Sequence, residues 1–262
     1  MVKHLVVGPG AMGYFMYLGV VSKLGQEGRL SDLKEISGSS AGGLMSFLYI
    51  LSKGNIPAVL DYSLAIPVGT ILKPNIKNLI HNYGLVSPKK IRKILMDICK
   101  KFIEKEDVTF KELYEWWPVK LHLPAYCVDF MKTVYFSVDS SPNMSVLDAV
   151  AATIAVPFMF APVKLSDGYN YVDGATAEAI PAGPFVGKSD TLALRIAWGR
   201  LGEVKDLKTY ALAILYSSMK LRHVYEVPTH DIDIPDNDIY DFSASNESKL
   251  KMFMLGLSQT FS

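Results

Sequence analysis

Cysteine is nearly missing from the chain. Cys99 and Cys127, two in 262 residues, cannot build a disulfide framework, match no metal-ligand spacing, and read as buried thiols. Five histidines are scattered without the paired spacing of a zinc site, so no metal and no cofactor is expected. No run of about 18 apolar residues free of charge occurs, which argues against a membrane-spanning helix. The apolar stretch in the N-terminal MVKHLVVGPG is too short for a signal peptide and runs straight into a turn. The expectation is an intracellular, cytoplasmic protein that meets membranes only peripherally. Repeats and low-complexity linkers are absent, and no composition break forces a second domain, so residues 1–262 are expected to form one unit. The net charge is +1, and no nucleic-acid partner is expected.

What is present is enough for a sizeable core: half the residues are apolar, a fifth are charged, and mean hydropathy is +0.20. The charge is uneven. Lys73 to Lys105 holds nine Lys or Arg against Asp97 and Glu104, whereas Val224 to Ser248 holds seven acids and no Lys or Arg. Such asymmetry marks surfaces that meet charged partners. The acids of the second stretch lack EF-hand spacing.

Helical and strand patterns alternate. Leu5-Val6-Val7 is a short apolar run ending at glycine, which predicts a buried strand, and Tyr14 to Leu24 has helical spacing. Lys34-Glu35-Ile36 is a weaker strand. Leu44 to Leu51 predicts a helix stopped at Gly54. Leu121–Val128 and Thr133–Phe136 read as two strands around a turn. Val146 to Ile154 predicts a helix ended by Pro157; Tyr169–Val172 and Thr191–Ala197 predict strands; Asp206–Leu221 and Glu247–Leu257 predict helices. The order favours a layered α/β domain. The stretch of about 67–106 reads as a basic helical insertion, with Ser87 capping a helix whose first turn holds Pro88.

Three short segments could carry chemistry. GPGAMG, Gly8 to Gly13, lies between strand and helix, where backbone N–H groups can hold an anion. A dinucleotide site is one reading, but the acid sought about 20 residues on is matched only by Glu27 and Asp32, neither preceded by a clear strand. Gly38-Ser39-Ser40-Ala41-Gly42 is a G-x-S-x-G, the pattern of a nucleophile elbow, with Ser40 central. The plain alternative is a helix N-cap. Gly42 and Gly43 at a helix start cost about 1 kcal/mol each relative to alanine, a cost that close approach of another backbone or a ligand would explain. Asp173-Gly174 ends a strand and reads either as a turn or as a catalytic acid. The order Ser40, Asp173, then His223 or His230 matches α/β-hydrolases. That fold, however, places several strands before its elbow, and His223 and His230 sit in surface-like contexts.

Taken in order, GPGAMG, GSSAG and DGA resemble the patatin-like phospholipases. "YLGVVSKL", "SVLDAVAATIAVPFMFAPV" and "YVDGATAEAIPA" are also similar to family segments. The resemblance runs from about Leu5 to Ile180 and resumes in "FSASNESKLKMFMLGL". It implies a three-layer α/β/α sandwich with a central, mostly parallel sheet. It also implies a Ser–Asp dyad: Ser40 attacks the acyl carbonyl, and Asp173, raised in pKa by burial, serves as base. The Gly loop (Gly8, Gly10, Ala11, Gly13) becomes the oxyanion hole, with Gly10 and Ala11 as donors, while Gly38, Gly42 and Gly174 support the elbow and the acid. The implied substrate is a phospholipid, a lysophospholipid or another acyl lipid at a membrane surface. The sequence departs from the family's G-G-G-x-Arg/Lys-G at Pro9, which has no N–H, and at Met12, where the basic residue stands. A weakly active or inactive lipid-binding member and a nucleotide-binding protein are the alternatives. For membrane contact, the basic residues Lys89, Lys90, Arg92, Lys93, Lys100 and Lys101, beside Ile91, Ile94, Leu95, Ile98 and Phe102, suit an anionic surface; an ordinary helix packed on the core fits the same pattern. Trp116-Trp117 reads as an interfacial anchor or as core plus rim.

Overall fold

The computed structural model describes residues 1–197, 204, 210, 213, 214, 225–234, 239 and 241–261. The apolar run at the N-terminus forms β1 (His4–Val7), buried from Leu5 onward. After a short 3-10 turn come α1 (Tyr14–Gln26), β2 (Glu35–Gly38) and α2 (Ala41–Leu51). Next are α3 (Ile56–Ala65), α4 (Val68–Ile71), α5 (Ile76–Asn82), β3 (Gly84–Val86), α6 (Pro88–Ile103) and α7 (Phe110–Trp116). The chain then forms β4 (Lys120–Cys127), β5 (Lys132–Phe136), α8 (Val146–Thr153), β6 (Phe158–Phe160), β7 (Val163–Lys164) and β8 (Asn170–Asp173). It closes with β9 (Thr191–Ala197), β10 (Thr229–Asp233) and α9 (Asn246–Leu257). The helix expected over Asp206–Leu221 falls almost wholly outside the described residues.

The main sheet runs β10-β9-β1-β2-β4-β8-β7, with β5 folded back on β4. Its first five strands are mutually parallel; β5 and β8 are antiparallel to β4, and β7 to β8. Helices flank the sheet on both sides, giving the expected α/β/α sandwich with a mostly parallel sheet. A parallel sheet covered on both faces reads as short apolar runs, and LVV in β1 is such a run.

Register positions the loops. Val7 pairs with Gly38, so the loops after β1 and β2 leave the sheet at the same level. Ser37 pairs with His122, and β4 continues to Ala125, which pairs with Asp173 on β8. The Gly loop, the elbow and Asp173 therefore gather beyond the carboxyl ends of the parallel strands, where open α/β sheets bind ligands.

The glycines at the elbow are explained by close packing. A Cβ on Gly42 would strike the carbonyls of Val7 and Gly8, and one on Gly43 would meet the Thr153 methyl at 2.7 Å and the Gly38 carbonyl at 2.9 Å. Close backbone approach thus accounts for two glycines at a helix start. Behind the sheet, α1 and α9 touch backbone to backbone: a Cβ on Gly19 would meet the Phe253 carbonyl, and one on Gly256 the Met16 carbonyl.

The basic segment forms α4 to α6 with β3, which pairs with β6 in a separate two-stranded sheet. Ser87 accepts from the Lys89 N–H and Pro88 opens α6, as its sequence predicts.

Candidate active site

The two adjacent serines are not equivalent. Ser39 is fully buried, and its hydroxyl has no hydrogen-bond partner among the described residues. Ser40 has φ 54° and ψ −129°, a left-handed conformation that costs a non-glycine residue about 1–3 kcal/mol. It stands at the N-cap of α2, yet its side chain makes no capping hydrogen bond. Asn55, Asn75, Ser87, Thr109, Ser145 and Ser245 all do cap their helices. The N-cap reading of Ser40 is therefore not what the geometry supports. The strained turn is held from outside: the Ser39 N–H donates to the Val7 carbonyl (3.2 Å) and the Ser40 N–H to the Thr153 carbonyl (2.9 Å). The Ser40 side chain lines a cavity of about 210 Å³.

Asp173 ends β8, is 2% exposed and lines the same cavity. Its N–H donates to the Ala155 carbonyl at 2.9 Å, and its Oδ1 accepts from the Ala175 N–H at 2.8 Å. It thus makes the turn that the dipeptide Asp-Gly suggests and also faces the cavity. Gly174 lets this turn lie against β4, because a Cβ there would meet the Pro124 carbonyl at 2.5 Å.

The Gly loop wraps the third side. Three of its N–H groups, those of Gly8, Met12 and Gly13, are already engaged: Gly8 donates to the Leu194 carbonyl (3.0 Å) and Gly13 to the Gly10 carbonyl (2.7 Å). Met12 donates to the Ile239 carbonyl (2.9 Å). Among the described residues, the N–H groups of Gly10 and Ala11 have no acceptor, and both residues line the cavity. Ala11 has φ 46°, a second strained position in the cavity wall. Ala41, the residue after the serine, also lines the cavity, and its N–H has no acceptor among the described residues. It lies at the anion-attracting start of α2.

Tyr17 fixes the loop. Its hydroxyl donates to the Pro9 carbonyl (3.0 Å) and accepts from the Ile196 N–H (3.2 Å). Burial pushes the pKa of this phenol up, which keeps it a neutral donor. Its ring packs where a Cβ on Gly10 would stand, 2.8 Å away. In sequence, Tyr17 is indistinguishable from the apolar residues of α1. Pro9, which departs from the family pattern, supplies this anchoring carbonyl; Met12, the other departure, is buried against the cavity.

The remaining wall is mostly apolar. Leu44 and Leu48 come from α2, and Ile91, Ile94, Leu95 and Ile98 from α6. Two polar wall residues, Tyr14 and Ser63, hydrogen-bond each other at 2.8 Å. The apolar face of α6 is thus cavity wall, not a face free to enter a bilayer. Arg92 on that helix is held by Asp107 (2.6 Å) and Asp148 (2.8 Å). Trp116 donates to the Leu51 carbonyl under the Lys53 ammonium, and Trp117 packs on Tyr49, so the pair is rim and core.

His230 sits on the edge strand β10, stacked on Phe261 and 3.4 Å from the Gln259 side chain; His223 lies outside the described residues. Glu27 caps the C-terminus of α1, and Asp32 lies in a turn before β2. Neither ends the second strand, where a ribose-binding acid is needed. Among the described residues, no group of three His, Cys, Asp or Glu side chains could hold a metal ion, and no helix is long and apolar enough to cross a membrane.

Comparison with known proteins agrees with this arrangement. A "probable lipid hydrolase 463L" of Invertebrate iridescent virus 6 is 27% identical over 184 residues, 68% of this chain and 61% of that protein. The chain thus matches less than two thirds of this relative's length. The fold is similar to that of VipD from Legionella pneumophila (TM-score 0.64, 14% identity, 97% of this chain and 67% of that one). It is also similar to the type III effector protein ExoU of Pseudomonas aeruginosa (TM-score 0.51, 14% identity, 98% and 51%). The family model for patatin-like phospholipases matches residues 5–186, a span that takes in the Gly loop, the elbow and Asp173, and the chain belongs to that family.

Proposed function

We propose that the chain is a serine acyl hydrolase that cleaves fatty-acyl esters of phospholipids or lysophospholipids through Ser40 and Asp173. One observation carries the reading: Ser40 stands at a helix start in a strained conformation, caps nothing, and faces an apolar cavity that also holds Asp173. A strained turn persists only where its surroundings over-determine it, and such strain clusters at functional sites.

In this reading the acyl chain lies along the α2 and α6 side chains, with its ester at the polar end. Ser40 Oγ attacks the carbonyl carbon while Asp173 takes the hydroxyl proton. The oxyanion is received by the N–H groups of Gly10 and Ala11, with Ala41 beside them; each such donor is worth about 3 kcal/mol of transition-state stabilisation. Asp173 then delivers the proton to the departing alcohol. A water, deprotonated by Asp173, cleaves the acyl-enzyme and restores the serine. Met12 replaces a cation beside the site with a thioether, which disfavours anionic groups there. The site's groups need no bound cofactor for these steps. Two buried, unpaired cysteines suit a reducing, cytoplasmic compartment, where the protein would work peripherally on membranes.

The test is fatty-acid release from mixed phospholipid vesicles by the wild type, Ser40→Ala and Asp173→Asn. Release by the wild type and loss in both folded variants supports the dyad. Full activity in Ser40→Ala would sink it. A wild type that binds vesicles without turnover points instead to a lipid-binding member whose loop, altered at Pro9 and Met12, no longer supports catalysis.

A further inference from the structure

We propose that α5 and the outer side of the β3–β6 sheet form a docking surface for an anionic phospholipid bilayer, placed at the mouth of the cavity. The inference rests on the lipid-hydrolase reading and names the surface by which that site meets its substrate. Ile76, Ile80, Tyr83 and Phe158 are between 59 and 71% exposed. Ile76 and Ile80 are four residues apart on α5 and share a face. Tyr83 follows at the end of that helix, and Phe158 pairs with the next residue, Gly84, across the small sheet. Single exposed apolar residues need no explanation, but a cluster of large ones does.

This cluster is held in place. Asn75 Oδ1 accepts from the N–H groups of Lys77 and Asn78, the Asn75 N–H donates to the Leu85 carbonyl (3.0 Å), and Asn78 Nδ2 donates to the Gly84 carbonyl (2.5 Å). It is also continuous with the cavity. Pro157 and Met159, on either side of Phe158, line the cavity, as do Ile71 and Leu72 just before Lys73. An acyl chain leaving a bilayer at this face therefore has an apolar path toward Ser40.

Charge selects the partner. Residues 62–96 contain six Lys or Arg and no Asp or Glu. Arg92 is paired, but Lys73, Lys77, Lys89, Lys90 and Lys93 are exposed and have no ion pair among the described residues. Exposed isoleucines and aromatics in a stretch that carries exposed lysines without ion pairs suit an anionic membrane surface. A second exposed apolar cluster among the described residues, Phe130, Met131 and Tyr169, differs: beside Lys132 it holds two acids, Asp129 bonded to Asn170 and Asp167 bonded to Tyr171. Its acids oppose an anionic surface.

The experiment measures co-sedimentation with phosphatidylcholine vesicles, with and without phosphatidylserine, in the Ser40→Ala background so that the vesicles stay intact. Ile76→Ser/Ile80→Ser is expected to weaken binding to phosphatidylserine vesicles about tenfold or more. Lys73→Gln/Lys77→Gln is expected to weaken it about fivefold per lysine, with no effect on neutral vesicles and a loss of the difference at high salt. In the otherwise wild-type chain, both double variants should cleave a soluble short-chain ester normally, since none of the four residues lines the cavity. Unchanged vesicle binding in both folded variants overturns the proposal, as does patch-dependent dimerisation without vesicle binding. If the wild type cleaves no ester but binds vesicles through this patch, the hydrolase reading fails and the docking surface stands. If it cleaves the soluble ester and the variants bind vesicles like wild type, the docking surface fails and the hydrolase reading stands.

Discussion

At Ser40 a conformational cost and a chemical opportunity coincide. Ser40→Gly should remove the penalty of φ 54° and raise unfolding free energy by up to about 1 kcal/mol, while lipid cleavage falls about 10³-fold or more; chemical denaturation and fatty-acid release measure the two effects. Tyr17 offers a subtler case. Tyr17→Phe strands the buried Pro9 carbonyl and Ile196 N–H, which should cost about 1–3 kcal/mol of stability. It should also lower kcat about 10- to 100-fold by loosening the Gly loop, with little change in KM. The G-x-S-x-G spacing made Ser40 legible in the sequence. Tyr17 was not legible, because its role depends on a hydroxyl reaching a loop eight residues earlier and a strand 179 residues later. The same holds for Ala41, whose proposed contribution is a backbone N–H that any residue would present.

At the scale of elements, the apolar periodicities located the major pieces. Thr191–Ala197 appears with the bounds its pattern indicates, and α1, α2, α8 and α9 are displaced by three residues or fewer. The weaker strand expected at Lys34-Glu35-Ile36 is β2, one residue later and through Gly38; its identity comes from pairing with β1 and β4 rather than from its own residues. β10 lies in the acidic stretch from Val224 to Ser248, where no strand is expected, yet Asp231 is neutralised across the sheet by a bidentate Arg195, a partner invisible to local pattern. The capping box of Thr109 and Glu112 on α7 was there to be found. The glycine contact between α1 and α9 is a further prediction at this scale. Gly256→Val should cost about 1–3 kcal/mol or more, because the Met16 carbonyl occupies the space a Cβ needs; thermal unfolding measures the loss.

For the whole molecule, pH enters through a cluster at the end of the sheet opposite the cavity, which joins β1, β2 and β4. Glu35 accepts from His122 Nε2 (2.8 Å) and Lys188 (2.8 Å), with His4 Nδ1 at 3.6 Å, and Phe185 packs on both imidazoles. Burial lowers the pKa of His4 and of His122, more than Glu35 raises either. Burial pushes Glu35 up, but the hydrogen bonds from Lys188 and His122 outweigh it and hold the carboxyl below its ordinary value. All three shifts have one sign: the unfolded chain binds more protons than the folded one, so stability rises with pH. The Tm should therefore fall as pH drops below about 6.5, where unfolded histidines charge, and fall further below about 4.5 through Glu35. Replacing both histidines with glutamine should flatten the upper part of that profile. At the opposite end, the central assignment is that Ser40 is the nucleophile. Its most direct test is the intact mass of the chain after treatment with a fluorophosphonate, with the adduct located by peptide mapping. The expected result is one adduct on Ser40, absent in Ser40→Ala and strongly slowed in Asp173→Asn. An adduct on any other serine, or a wild type that cleaves lipid esters while Ser40 stays unmodified, would contradict it.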